Sequence, residues 1–271
     1  MLNMVENDKF TAYGHFIEIN GMNMYYIDNG QGHPLVLLHG GISTSGTTWA
    51  NYIPILSQYF RLIIPDCRGR GKTNNPLHKL SYRILAEDTI ALCKALNIEK
   101  PILCGWSDGG QICLEIGASF PEFAKGIIAG GAIFYPKESY MDILSEIGVK
   151  SPDIVDVAQL DYTSLETSMI ALHSSVNNPE DWDMLLRQLM YLWSDPAEFV
   201  DNKYDQIKIP TLIGVGDRDP YIRIDKNVSD YTMFKNYEFF VLPNTAHGII
   251  PMRIAKMLSN VIIDFVERIL E

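Results

Sequence analysis

Pro101-Ile102-Leu103-Cys104-Gly105-Trp106-Ser107-Asp108-Gly109-Gly110 runs an apolar strand directly into a Gly-x-Ser-x-Gly pentapeptide. A strand that turns this abruptly into a helix leaves its central serine hydroxyl clear of the sheet, the geometry of a nucleophile elbow. The residues two before and two after the serine come close together in such a turn. Gly105 and Gly109 suit it because neither has a Cβ to collide. The helix that follows directs unpaired N–H groups and its positive end at any negative charge forming beside Ser107. A pentapeptide with three fixed positions also recurs by chance, so the surrounding chain has to supply a base, an acid and an anion-stabilising loop.

Working outward, short apolar runs alternate with helical patterns. Pro34-Leu35-Val36-Leu37-Leu38-His39, Arg61-Leu62-Ile63-Ile64-Pro65-Asp66, Gly126-Ile127-Ile128-Ala129-Gly130-Gly131, Ile209-Pro210-Thr211-Leu212-Ile213-Gly214-Val215 and Tyr237-Glu238-Phe239-Phe240-Val241-Leu242 read as strands. Residues 82–96 carry Ile84, Leu85, Ile90, Leu92 and Leu96 at helical spacing, and a helix over 252–270 closes the chain. This alternation predicts parallel β-α-β units in an α/β fold with a mostly parallel central sheet. His15 to Ile19 and Met22 to Ile27 flank Asn20-Gly21, which predicts an antiparallel N-terminal hairpin. The alternation breaks over residues 134–204. Amphipathic stretches such as Asp181-Trp182-Asp183-Met184-Leu185-Leu186 predict a helical insertion there, in a core made of residues 1–133 and 205–271.

The 271 residues suffice for one large domain, and 47% hydrophobic with 20% charged residues is globular composition. A net charge of −11 argues against nucleic acid or an anionic membrane as partner. No apolar run reaches membrane-spanning length, and the first residues lack the basic-then-apolar pattern of a signal peptide, so the expected setting is cytoplasmic. Cys67, Cys93, Cys104 and Cys113 lack metal-ligand spacing; Cys104 and Cys113 read as small core residues, and neither a metal nor an organic cofactor is expected.

Functional groups of an open parallel sheet gather at the carboxyl ends of its strands. Three ends besides the elbow are suggestive. His39-Gly40-Gly41 offers a glycine loop whose Gly41 N–H, with the Asp108 N–H, could hold an oxyanion; His39 itself reads as a brace for that loop. Gly216-Asp217-Arg218-Asp219-Pro220 offers two carboxylates able to orient an imidazole, and spacing does not separate Asp217 from Asp219. Asn244-Thr245-Ala246-His247-Gly248 places a histidine after the last strand, where an imidazole suits a general base. His15 and His33 fall in the N-terminal hairpin region, His78 follows a turn, and His173 lies in the insertion with at most a pocket-lining role.

The chain order Ser107, carboxylate, His247, with the glycine loop upstream, resembles that of the α/β-hydrolase fold superfamily. The resemblance extends over almost the full length through His39-Gly40-Gly41, Asp66-Cys67-Arg68-Gly69-Arg70-Gly71-Lys72-Thr73, the elbow, Gly216-Asp217-Arg218-Asp219 and Ala246-His247. It implies the Gly-x-x-Asp acid, Asp219, as the third member of a Ser107–His247–Asp219 triad. It also implies hydrolysis of a small carboxylic ester through an acyl-enzyme, with amide or peptide cleavage as the alternative on the same triad. Haloalkane dehalogenases and epoxide hydrolases of similar fold use Asp at the elbow, whereas this chain has Ser107. Gly105-Trp106-Ser107-Asp108-Gly109-Gly110 is similar to the elbow of valacyclovir-hydrolase-like amino-acid-ester hydrolases, which implies that Asp108 contacts a substrate α-amino group; a helix-starting aspartate is the plainer reading. The inserted segment resembles a helical cap. Phe134 and Tyr135 are expected to bind substrate there, and Met141, Trp182, Met190, Tyr191 and Trp193 either line an acyl pocket or pack the cap. The rival from another class is a non-catalytic ligand receptor on the same fold. Oligomeric state is not legible.

Overall fold

A computed structural model describes residues 13–133, 141–142, 145, 149–151, 154–155, 172–173, 181–195, 199, 203–227 and 233–271. Its strands are β1 (Gly14–Ile19), β2 (Met22–Asn29), β3 (Pro34–Leu38), β4 (Arg61–Pro65), β5 (Ile102–Trp106), β6 (Gly126–Gly130), β7 (Val149–Ser151), β8 (Ile154–Val155), β9 (Thr211–Gly216) and β10 (Tyr237–Leu242). The helices are α1 (Ser45–Trp49), α2 (Ile53–Leu56), α3 (Tyr82–Ala95), α4 (Asp108–Ser119), α5 (Asp181–Ser194), α6 (Ile224–Asn227) and α7 (Met252–Leu270).

Eight strands form one sheet in the order β1-β2-β4-β3-β5-β6-β9-β10. β1 and β2 pair antiparallel around Asn20 and Gly21, whose φ values of 46° and 71° are those of the tight turn that an Asn-Gly pair favours. β2 meets β4 antiparallel, and every later pairing in this sheet is parallel. The order reverses between β3 and β5, so the carboxyl ends of those two strands border a crevice.

Side chains that alternate along a strand feed two apolar layers. Val36, Leu38, Leu103, Ile127, Ala129, Ile213 and Val215 face α3 and α4. Leu35, Leu37, Ile102, Cys104, Ile128 and Leu212 pack with Trp49, Tyr52, Ile254, Leu258, Ile262 and Phe265 on the other face. The central strands β5, β6 and β9 are buried throughout, as a parallel sheet covered on both faces requires. The edge strands β1 and β10 keep exposed positions. Within the stretch expected to be inserted, Trp182, Leu185, Leu186 and Leu189 of α5 are buried in the same apolar cluster as the α3/α4 face of the sheet, and β7 with β8 adds a small antiparallel pair absent from the sequence reading.

Among the described residues no helix is long and apolar enough to cross a membrane, and no cluster of three or more His, Cys, Asp or Glu could hold a metal ion.

Candidate active site

The turn between β5 and α4 is as tight as its glycines predict. A Cβ on Gly105 would stand 2.0 Å from the Gly109 carbonyl oxygen, and one on Gly109 would stand 2.2 Å from that of Leu38. Ser107 itself has φ 58° and ψ −121°, a conformation costing an L-residue about 1–3 kcal/mol. The Ser107 N–H donates to the Gly130 carbonyl at 2.8 Å, which ties the strained residue to β6.

The loop after β10 returns a histidine to this turn. His247 Nε2 lies 2.9 Å from Ser107 Oγ, and its Nδ1 lies 2.7 Å from Asp219 Oδ2. A carboxylate can only accept, so the ring proton belongs on Nδ1 and leaves Nε2 to accept from the serine hydroxyl. Asp219 is buried, and its Oδ1 accepts from the backbone N–H groups of Tyr221 and Ile222, each at 2.9 Å. Those bonds leave Oδ2 free to face the imidazole. The Trp106 indole N–H donates to the His247 carbonyl at 2.7 Å, and the Tyr221 ring meets the imidazole edge-on at 5.1 Å.

The geometry separates the two carboxylates that spacing leaves open. Asp217 accepts from the Thr245 N–H at 2.9 Å and points at the histidine loop's backbone, away from the ring. Backbone N–H bonds from Thr245 and Asn244 hold its carboxyl below the usual range. The Arg218 N–H donates to the Thr245 carbonyl at 3.0 Å, so this turn and the histidine loop are laced together.

His39 is buried and braces the glycine loop. Its Nδ1 lies 2.7 Å from the Gly40 carbonyl, and its Nε2 accepts from the Cys67 N–H at 2.9 Å. This pattern requires a neutral ring. Burial first, then the charge of Arg70, pushes its pKa down to about 3. Because Gly40 C=O and Gly41 N–H share one trans peptide plane, fixing the carbonyl fixes the opposite direction of the N–H. The Asp108 N–H opens α4 and has no partner in the helical ladder.

The Asp108 side chain does not turn back to cap its own helix. Oδ1 accepts from Tyr82 Oη at 2.9 Å and Trp193 Nε1 at 2.8 Å, and Oδ2 faces Arg70 Nη2 at 3.4 Å. Burial pushes this carboxyl up, and Arg70, Trp193 and Tyr82 oppose that rise.

A cavity of about 190 Å³ opens over Ser107. Ile42, Trp106, Ile133, Trp193, Tyr221 and Ile249 give it apolar walls, and Asp108 and Gln111 lie along one side. Of the aromatic and methionine residues expected over it, Trp193 lines it. Trp182 and Met190 are buried in the apolar layer, Met141 packs beside them, and Tyr191 is exposed. Phe134 and Tyr135 lie outside the described residues. His173 does not line the cavity; it clamps two loops. Its Nδ1 accepts from the Gly71 N–H at 3.0 Å, its Nε2 lies 3.0 Å from the Ile42 carbonyl, and its ring stacks on Trp182. Burial is the main cause of its pKa falling to about 4.

Arg70, Tyr82 and the indole N–H of Trp106 are site components that the sequence reading missed. Arg70 stands in the turn Asp66-Cys67-Arg68-Gly69-Arg70-Gly71-Lys72-Thr73, but nothing local pairs it with a residue 38 positions away.

A sequence model of the "Alpha/beta hydrolase family" matches residues 35–253. A soluble epoxide hydrolase of Corynebacterium sp. (strain C12) is 39% identical over 98 residues, covering 36% of this chain; the match spans 34% of that relative, about a third of its length. Serine hydrolase BPHL of Mus musculus is 25% identical over 258 residues, covering 93% of this chain and 85% of the relative. Among solved structures, the enol-lactonase from Burkholderia xenovorans LB400 superposes with a TM-score of 0.70 at 16% identity, over 93% of this chain and 100% of that one.

Proposed function

The chain belongs to the alpha/beta hydrolase family, and from that premise we propose that it cleaves a small carboxylic ester by a two-step serine mechanism. The observation that carries this reading is the unbroken relay Ser107 Oγ, His247 Nε2, His247 Nδ1 and Asp219 Oδ2, with contacts of 2.9 and 2.7 Å.

In the first step Ser107 Oγ attacks the ester carbonyl carbon while His247 Nε2 takes its proton. Asp219 holds the imidazole orientation and stabilises the imidazolium that forms. The N–H groups of Gly41 and Asp108 receive the oxyanion, a contribution of about 2.7–4 kcal/mol for one such donor. The proton on Nε2 then passes to the departing alkoxide oxygen, leaving an acyl group on Ser107. In the second step water gives a proton to His247, attacks the acyl carbonyl, and releases the acid as the proton returns to Ser107 Oγ. The hydroxyl at the elbow forms this acyl ester, so the stretch shared with the Corynebacterium epoxide hydrolase does not bring that enzyme's activity with it.

Residues 134–204 are read as a cap that shapes the acyl pocket, with residues 1–133 and 205–271 as the core. The burial of α5 side chains in the apolar cluster they share with the core, and the presence of Trp193 in the cavity wall, support this. Ser107→Ala tests the proposal: turnover of a p-nitrophenyl ester is expected to fall to background while the fold persists. Unchanged turnover removes Ser107 as nucleophile.

A further inference from the structure

Asp108 follows the nucleophile and borders the cavity, where a bare carboxylate would attract a positively charged substrate. It is not bare. Oδ1 accepts from the Trp193 indole N–H and the Tyr82 hydroxyl, and Oδ2 faces the Arg70 guanidinium. Indole and guanidinium N–H groups only donate, so each carboxylate oxygen already faces at least one donor, Oδ1 at 2.8 and 2.9 Å and Oδ2 at 3.4 Å. Asp108 is 4% exposed and Arg70 1%, so the pair is shielded from solvent. Arg70 is held by more than its charge. Nε donates to the Gly41 carbonyl at 3.1 Å and Nη1 to the Arg68 carbonyl at 2.9 Å. Neighbouring Arg68 spends its own charge in a two-pronged pair with Asp88, at 2.7 Å for each contact.

We propose that Arg70 is a specificity-determining residue: it is the built-in cation of Asp108, and it leaves the cavity suited to acyl groups that carry no charge beside the carbonyl. The rigid guanidinium fork reaches Asp108, Gly41 and Arg68 in three directions at once, which a lysine ammonium on a flexible stem cannot reproduce. Arg70 thereby ties the residue after the nucleophile to the glycine loop. A substrate ammonium would have to compete with a counter-ion that is already buried and bonded on three sides.

This inference rests on the ester-hydrolase reading. Its test compares kcat/KM for the benzyl esters of pentanoic acid and 2-aminopentanoic acid at pH 6.5, where the amine is protonated, with benzyl alcohol release as the readout. The wild type is expected to favour the uncharged ester by at least about tenfold. Arg70→Gln leaves Asp108 unmatched and should move the ratio towards the amino ester by about tenfold or more. Asp108→Asn leaves Arg70 unmatched and should move it the opposite way. The double variant Arg70→Gln/Asp108→Asn removes both charges and should return near the wild-type ratio. A general loss of structure would lower both rates without moving the ratio in opposite directions. If Arg70→Gln alone does not fold, the Asp108→Asn and double variants decide. A wild-type preference for the amino ester, or a ratio unmoved in the folded single variants, overturns the proposal. Wild-type inactivity on both esters with Ser107 unlabelled by a fluorophosphonate overturns the ester-hydrolase reading, and this inference with it. Labelled Ser107 with an unmoved ratio overturns the role of Arg70 alone.

Discussion

Replacing Asp219 with asparagine removes a charge and almost no volume, and the surrounding bonds dictate which way the new amide must face. Oδ1 of Asp219 accepts two backbone N–H bonds, from Tyr221 and Ile222, at 2.9 Å each. An asparagine that turned its NH2 group towards those donors would leave both N–H groups facing a donor, at about 1–3 kcal/mol for the buried Ile222 N–H alone. Its oxygen therefore stays on the backbone and its NH2 faces His247 Nδ1, where the carboxylate stood at 2.7 Å. That contact needs an unprotonated Nδ1, which moves the ring proton to Nε2, opposite Ser107 Oγ. A protonated Nε2 cannot accept the serine proton. The expected loss in kcat is about 10⁴-fold, the size measured for this change in a trypsin-type triad, or about 5 kcal/mol in the barrier. Steady-state hydrolysis of p-nitrophenyl butyrate measures it, and equilibrium unfolding confirms that the variant remains folded, since its two backbone bonds persist. A loss of less than about tenfold would refute the reasoning that Asp219 sets the imidazole tautomer.

Gly105→Ala puts a methyl 2.0 Å from the Gly109 carbonyl oxygen, against backbone that cannot rotate away. The variant should lose several kcal/mol of stability, of the order seen for overpacking or worse, together with most esterase activity. Gly248→Ala, with nothing within 4 Å of the new methyl, should change stability by no more than about 0.5 kcal/mol; equal effects at the two sites in denaturant titrations would contradict the elbow geometry. His173 takes up a proton in the unfolded chain below about pH 6.5 but in the folded chain only near pH 4. The unfolded state thus binds the extra proton in this window. The His173 contribution to stability is complete above pH 6.5 and is lost as pH falls towards 4, at about 1.4 kcal/mol per pH unit. His173→Gln, whose amide can both accept from Gly71 and donate to Ile42, should reduce the pH slope of unfolding free energy by that amount. An unchanged slope would place a charged imidazole in the clamp.

The sheet was legible because each strand announces itself locally. Ile102–Trp106 and Gly126–Gly130 are apolar on both faces, Asn20-Gly21 favours one turn, and α7 repeats its apolar stripe from Ile254 to Phe265. The convergence of Ser107 and His247 was legible for the same reason, since strand ends meet in a parallel sheet. The choice between Asp217 and Asp219 was not, because both occupy one turn. Their surroundings part only when Tyr221 and Ile222 fold back onto one carboxylate and Thr245 onto the other. Arg70 and His173 were illegible in a stronger sense. Their partners, Asp108 and Gly71, lie 38 and 102 residues away, and no periodicity carries such a pairing. His173 reads as an insertion histidine until the fold sets it between the Gly71 and Ile42 loops.

The acyl-enzyme is the intermediate on which the whole account depends. Rapid quenching of the enzyme during turnover of a slowly deacylating p-nitrophenyl ester, followed by peptide mass analysis, examines it directly. One acyl group per chain, on the peptide bearing Ser107, with a burst of p-nitrophenol of equal size, is the predicted result. Steady turnover with no acylated Ser107, or an acyl group on another residue that persists in Ser107→Ala, would contradict it.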